Sequence, residues 1–195
     1  MIAPETGVIL AGGRSSRMGG RDKALVTFHG QSLLARVMAR LAPQTRRLIL
    51  NTNADPLLFA AFGLPVLADR LPGLPGPLAG IHAGLAACPE ESLLTVAVDI
   101  PDFPGDLVAR LRAGLGQATC AYAFNGTHHA LALLWAPGSA ARVEAYLSAG
   151  GRSLKGFLAE HGAAVRFDRP QDRGLFLNIN TPEDLARAER ELAAL

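Results

Sequence analysis

Apolar residues along this chain of 195 residues fall into two kinds of run that alternate. Short unbroken ones, Gly7-Val8-Ile9-Leu10, Arg47-Leu48-Ile49-Leu50, Pro65-Val66-Leu67 and Leu93-Leu94-Thr95-Val96-Ala97-Val98, have the length and continuity of strands buried on both faces. Between them lie segments with helical spacing. Leu33 to Leu41 is one, with Ser32 as its N-cap and Pro43 as a stop. Leu57 to Phe62, closed by Gly63, and Leu78 to Ala87, read as an amphipathic helix, are the next two. The order strand, helix, strand, helix, strand predicts a parallel sheet covered on both faces, with the most apolar strand, 93–98, near its centre.

Farther along, Gly105 to Leu115 predicts a helix, and Thr119–Phe124 with Ala130–Trp135 a β-hairpin turning at Asn125-Gly126. Ser139–Ser148 and Ser153–Glu160 predict two more helices, Ala163–Phe167 a strand, and Asp168–Arg173 a polar turn. Leu175 to Asn180 reads as extended, which would put Asn178 and Asn180 on one face of a strand; strand-to-helix turn chemistry is the other role open to Asn180. In the last helix Thr181 caps, Pro182 takes the first position, and Glu183 and Asp184 favour the positive end of the helix dipole. The expected fold is α/β: one Rossmann-like three-layer domain over residues 1–195, with a mostly parallel sheet and an antiparallel component from the hairpin.

In such sheets ligands bind beyond the carboxyl ends of the strands, and those ends carry Leu10–Gly13, Asn51–Asn53, Asp69 and Asp99. The first runs into Leu10-Ala11-Gly12-Gly13-Arg14-Ser15-Ser16-Arg17-Met18-Gly19-Gly20-Arg21-Asp22-Lys23. Its glycines let several N–H groups turn toward one anion, and Arg17 and Lys23 add two positive charges, so the loop is suited to phosphates. It is not a Walker A loop, because Lys23 follows Asp22 and precedes Ala24. Nor is it a dinucleotide fingerprint, since an extended stretch rather than a helix follows it. The segment Leu71-Pro72-Gly73-Leu74-Pro75-Gly76-Pro77-Leu78 leads into a helix and is read as a loop walling the same pocket. Asp99 ends the most buried strand, where a cation is the simplest compensation; magnesium needs only one or two carboxylates beside substrate phosphates. Capping of the following turn is the alternative role for this residue.

Composition narrows the classes further. With 49% hydrophobic and 18% charged residues the chain is an ordinary globular one, and no apolar run reaches the roughly 20 residues of a membrane span. Its first residues lack the basic start of a secretory signal, so the expected compartment is the cytoplasm. Cys88 and Cys120 lack metal-ligand spacing and read as two buried thiols. A formal charge of +2 with no basic helix argues against nucleic acid. Among 19 cationic residues only Lys23 and Lys155 are lysines, which suggests that a compact ammonium is needed at both places.

The glycine-rich loop resembles the L-A-[AG]-G-x-S-x-R-M-G-x-D-K pattern of sugar-nucleotide and cofactor nucleotidyltransferases, apart from one extra glycine. Together with Asn51, Asp69, Gly76-Pro77-Leu78-Ala79-Gly80, Val98-Asp99-Ile100-Pro101, Gly151-Arg152-Ser153-Leu154-Lys155 and Phe176-Leu177-Asn178-Ile179-Asn180-Thr181-Pro182-Glu183-Asp184-Leu185, it is similar to the molybdenum cofactor guanylyltransferases over essentially the whole chain. That resemblance implies a nucleotidyltransferase fold of glycosyltransferase A-like type and an enzyme that joins GMP from GTP to the phosphate of molybdopterin, releasing pyrophosphate. It implies that Arg17 and Lys23 hold the β- and γ-phosphates and that Asp99 holds Mg2+. It also implies that Leu10, Ala11, Gly12, Gly13, Asn51 and Asp69 bind the nucleoside, and that Arg152, Lys155, Asn178 and Asn180 face the pterin. Transient contact with molybdoenzymes or their chaperones would follow from such a product.

The chain departs from the family pattern at Ala97, where cysteine is frequent, at Ile100, and at His128-His129, where relatives often carry His-Pro or Gln-Pro. The two histidines are expected to be surface turn residues. Cytidylyl relatives usually read Leu-Ala-Ala-Gly, so Gly12 favours guanine over cytosine. A guanylyltransferase acting on a sugar phosphate, or a non-catalytic GTP-binding delivery module, are the other readings; retention of Lys23 and Asp99 favours an enzyme.

Overall fold

The computed structural model describes residues 6–12, 22–71 and 76–193. The phosphate-loop residues 13–21, Gly13 and Arg17 among them, and residues 72–75 of the Pro/Gly loop lie outside the described residues. Strand β1 (Thr6–Leu10) is followed by one turn of 3₁₀ helix at Lys23–Leu25 and a short hairpin of β2 (Thr27–Phe28) and β3 (Gln31–Ser32). Then come α1 (Leu33–Leu41), β4 (Arg47–Asn51), a 3₁₀ segment Pro56–Phe62, β5 (Val66–Leu67), α2 (Pro77–Ala87), β6 (Leu93–Ala97) and α3 (Leu107–Leu115). The rest is β7 (Cys120–Phe124), β8 (His128–Trp135), α4 (Ser139–Ser148), α5 (Leu154–His161), β9 (Gly162–Arg166) and α6 (Pro182–Ala193).

Seven strands form one sheet in the order β5-β4-β1-β6-β8-β7-β9. β8 is antiparallel to both its neighbours, while the other pairs are parallel. The sheet is thus mostly parallel with one reversed strand, as the hairpin implied. Strand alternation sends Ile9, Leu94, Val96, Ala121 and Leu134 into a core under α1, α3 and α6. Val8, Leu10, Leu93, Tyr122, Leu133 and Trp135 go into a second core under α2, α4 and α5. Both layers therefore rest on one sheet, and α1 begins where Ser32 Oγ accepts from the Ala35 N–H at 3.2 Å.

The chain leaves β1 toward β4 and β5, then crosses back to β6 on the other side of β1. This reversal opens a crevice between the carboxyl ends of β1 and β6, the place where open α/β sheets hold ligands. Leu10 pairs with Asn51 on one side and Ala97 on the other, so Gly12 and Asp99 lie equally far beyond the paired row.

Three expectations are corrected. Helix α2 is not amphipathic: Leu78 through Leu85 are all buried, because it lies between the sheet and α4, and Gly80 and Gly84 let it come close to Leu10, Asn51, Val8 and Leu93 of the sheet. The histidines are not turn residues; both belong to β8, His128 exposed and His129 buried. Residues 175–180 form no strand, since their N–H groups go singly to loop carbonyls, Phe176 to Asp102 and Ile179 to Asp99, each at 2.9 Å, and Phe176 breaks the extended run with φ of +63°. The two thiols are buried as expected, and desolvation pushes the Cys120 pKa up to about 12. No helix among the described residues is long and apolar enough to cross a membrane.

Candidate active site

Lys23 opens its 3₁₀ turn because Asp22 caps it, Oδ1 accepting from the Ala24 N–H at 2.9 Å. The Lys23 ammonium then reaches across the crevice and donates to Asp99 Oδ2 at 2.9 Å and to Asn180 Oδ1 at 2.7 Å. Three residues far apart in sequence thus meet at one nitrogen. Asp99 follows the central strand β6 at the edge of the core, and its second oxygen, Oδ1, is buried with no hydrogen-bond partner. Asn180 is fixed by the start of α6: Asp184 Oδ2 accepts from the N–H groups of Asn180 and Thr181 at 3.0 and 3.1 Å, and Thr181 Oγ1 accepts from the Asp184 N–H at 3.1 Å. The Asn180 N–H, and after it the Arg187 charge, hold the Asp184 carboxyl below the usual range, so it stays ionised.

An orphaned, buried carboxylate oxygen is a hard donor of the kind magnesium takes, and Asp99 can give it one protein ligand while water and phosphates supply the rest. No three His, Cys, Asp or Glu side chains gather into a cage among the described residues.

The other lip of the crevice is tied by amides. Asn51 Nδ2 donates to the Leu67 carbonyl and to Asp69 Oδ1, both at 3.0 Å, and Asn53 Nδ2 donates to Asp69 Oδ2 at 2.8 Å. Asp69 is thereby engaged at both oxygens, and the ends of β4 and β5 are braced together. The Asn51 carbonyl accepts from the Ala11 N–H at 2.8 Å, and the Leu10 carbonyl accepts from the Val98 N–H at 3.0 Å, which fixes the backbone entering the loop. Asn51 Oδ1 faces two glycines: a Cβ at Gly12 would come within 3.9 Å of it, and one at Gly80 within 2.0 Å. Gly80 is needed because α2 passes directly over this side chain.

The arrangement brings together Lys23, Asp99 and Asn180, and separately Leu10, Ala11, Gly12, Asn51 and Asp69. It does not bring in Arg152, whose Nη1 donates to the carbonyls of Leu147 and Gly151 at 2.7 Å and closes the end of α4. Lys155 and Asn178 are exposed and are not the acceptors or donors of the Lys23 hydrogen bonds. Hydrogen bonds at the amino end of the parallel strands, Ser139 Oγ to Thr119 O and Thr119 N–H to His161 O, show that α4 begins and α5 ends there. Their connecting turn, with Arg152, therefore points toward the carboxyl end.

One buried acid escaped the sequence reading. Asp102 is 2% exposed and accepts from Arg36 Nη2 at 2.7 Å and from Arg40 Nη2, while Arg40 Nη1 donates to the Phe103 carbonyl. This fork pins the loop carrying Asp99 to α1. The spacing of Arg36 and Arg40, i and i+4 on one helix, was the available signal.

The sequence profile of the MobA-like NTP transferase domain matches residues 7–165. The chain belongs to that family. It is 48% identical over 187 residues to a molybdenum cofactor guanylyltransferase of Cereibacter sphaeroides, covering 94% of each chain. To the enzyme of the same name from Rhodopseudomonas palustris it is 46% identical, covering 94% of this chain and 91% of that one. Among solved structures, molybdopterin-guanine dinucleotide biosynthesis protein A from Archaeoglobus fulgidus superposes with a TM-score of 0.76 at 25% identity, over 97% of this chain and all of the other.

Proposed function

We propose that this chain, acting as one domain, transfers GMP from GTP to the phosphate of molybdopterin. A phosphate oxygen of the pterin bonds to the α-phosphorus of GTP, the bond to the bridging oxygen breaks, and pyrophosphate leaves with the electron pair. The attacking group is a phosphomonoester, largely ionised near neutral pH, so no general base is needed and the residues have only to align and neutralise charge. The observation that carries this reading is the convergence of Lys23, Asp99 and Asn180 at one ammonium, because it joins a phosphate-loop cation, a ligand for a divalent metal and an acceptor-side amide at the place where the phosphorus must change partners.

In the transfer Lys23 moves its donors onto the triphosphate and balances charge on the departing pyrophosphate, and Arg17 is assigned the same role. Asp99 holds Mg2+, which when bound supplies charge neutralisation to the phosphates. The backbone at Leu10–Gly13, with Asn51 and Asp69, receives the guanosine. Asn178 and Asn180 face the pterin, with Arg152 of the α4–α5 turn and Lys155 at the start of α5 assigned to its phosphate. The reaction takes place in solution, with the product passed to molybdoenzymes or their chaperones.

The test is transfer of label from α-labelled GTP or CTP to molybdopterin with Mg2+, for the parent and for Asp99→Asn. GTP should be the better donor, and the variant should still bind GTP while turnover falls by about 100-fold or more. Preferred use of CTP, transfer to a sugar phosphate instead, or undiminished turnover by the variant would each overturn the assignment.

A further inference from the structure

Strands β7 and β8 keep step from Cys120 opposite Trp135 to Tyr122 opposite Leu133, and then the next β7 residue, Ala123, pairs with His129. Residues 130–132 are therefore pushed out of that ladder, and the two histidines are set beside the crevice with their rings on opposite faces. His128 Nδ1 lies 3.1 Å from the Tyr122 hydroxyl. His129 is 8% exposed and lies on the other face, its ring stacked on Phe176 with centroids 4.7 Å apart and planes at 18°. Its Nε2 is 2.7 Å from Asn125 Oδ1; an amide oxygen only accepts, so Nε2 carries the proton. Burial, and the neighbouring His128, lower the His129 pKa and keep the ring neutral near pH 7.

Phe176 is in turn in an awkward state. It is 2% exposed, and φ of +63° is a conformation that residues with a Cβ avoid, so it persists only where packing holds the ring. Phe167 meets that ring edge-on at 5.3 Å, and His129 covers another side. From Phe176 the chain runs beside the loop that carries Asp99, tacked to it by the two bonds from Phe176 and Ile179, and delivers Asn180 to Lys23.

We propose that His129 is a positioning residue for the acceptor side of the site: clamped between Asn125 and Phe176, it holds segment 176–180 against the Asp99 loop, so that Asn178 and Asn180 meet the incoming pterin in a fixed place. The proposal rests on the guanylyl-transfer reading of the site. It assigns His129 no contact with GTP, and so separates the two substrates.

The experiment compares His129→Ala and His129→Phe with the parent in three readouts: KM for molybdopterin, KM for GTP, and amide hydrogen exchange at Phe176 and Ile179. His129→Ala should raise the pterin KM about tenfold, leave the GTP KM within about twofold, and speed exchange at both amides; His129→Phe, which keeps a stacking ring, should restore most of each. Unchanged exchange and pterin KM in His129→Ala would overturn the proposal. So would a rise in both KM values together, the mark of general loosening. If the parent transfers nothing to molybdopterin, the guanylyl reading falls, and amide exchange in the two variants still decides whether His129 holds the segment.

Discussion

Replacing Gly80 by alanine is the sharpest test of how α2 and the amide brace fit together. In a helix interior the change ordinarily stabilises by about 1 kcal/mol. Here the new methyl would stand 2.0 Å from Asn51 Oδ1, 2.8 Å from Asn51 Cγ and 3.1 Å from Leu10 Cδ2, and Asn51 is 2% exposed with no free space to retreat into. The amide must swing out of place and lose its bonds to Asp69 and to the Leu67 carbonyl. A hydrogen bond to a charged group contributes roughly 1.5–3 kcal/mol and a neutral one about 1, so the loss is about 3 kcal/mol against a gain of about 1. The net cost of about 2 kcal/mol corresponds to a fall in Tm of roughly 4–8 °C for a chain of this size. Thermal unfolding should be measured in four proteins: parent, Gly80→Ala, Asn51→Ala and the double variant. With Asn51 truncated the obstacle is gone, and alanine at 80 should be neutral or stabilising. Equal destabilisation by Gly80→Ala in both backgrounds, or a Tm that does not fall in the parent background, would refute the reasoning.

Three further outcomes follow from the same structure. Asp172, 3% exposed, accepts from Arg110 at 2.8 and 2.9 Å, and that bond, with the nearby charges, holds its pKa below the usual aspartate range. Its contribution is therefore complete above about pH 4 and disappears as pH falls below that through the folded-state value. Asp172→Asn should lower stability by about 3 kcal/mol at pH 7 and by progressively less in acid, a convergence that urea titration at both pH values checks. Asp102→Asn puts a neutral amide in the buried place of the carboxylate while Arg36 and Arg40 stay 22% and 37% exposed, and should cost about 2 kcal/mol, read by urea unfolding; a cost under about 0.5 would remove the fork from the account of how the Asp99 loop is held. Lys23→Arg keeps the charge but puts a broad guanidinium where Nζ fits between Asp99 and Asn180, so turnover should drop on the order of tenfold with the fold intact by circular dichroism.

The order of elements was legible because each rests on local periodicity and local punctuation. Buried strands read as unbroken apolar runs, and α1 announced itself through Ser32 and the spacing of Leu33, Leu34, Val37 and Leu41, all of which are buried. The reversed strand β8 was legible from its hairpin. Two readings missed. Helix α2 has no charged residue and only His82 as a polar side chain, a composition that already points to burial all round; that α4 is what covers it was decided by the fold. Residues 175–180 have strand-like alternation, but the partner they meet is a loop, which offers single carbonyls and no ladder.

For the site, the sequence by itself determined which chemical groups are present: a glycine-rich cationic loop, an aspartate at the end of the most buried strand, and paired asparagines before a capped helix. Each is a short-range pattern set by what a few neighbouring residues can do. Only the tertiary structure decided which of them act together. Lys23, Asp99 and Asn180 converge because the crossover from β5 to β6 puts the Asp99 loop beside β1, and the chain from Phe176 to Asn180 is laid along that loop. Asn51 and Asp69 turned out to bind each other, and the i, i+4 spacing of Arg36 and Arg40 marked a pair of cations without naming Asp102 as their partner. A side chain's partner depends on distances closed by the whole fold, and those distances are set by packing between elements that are remote in sequence.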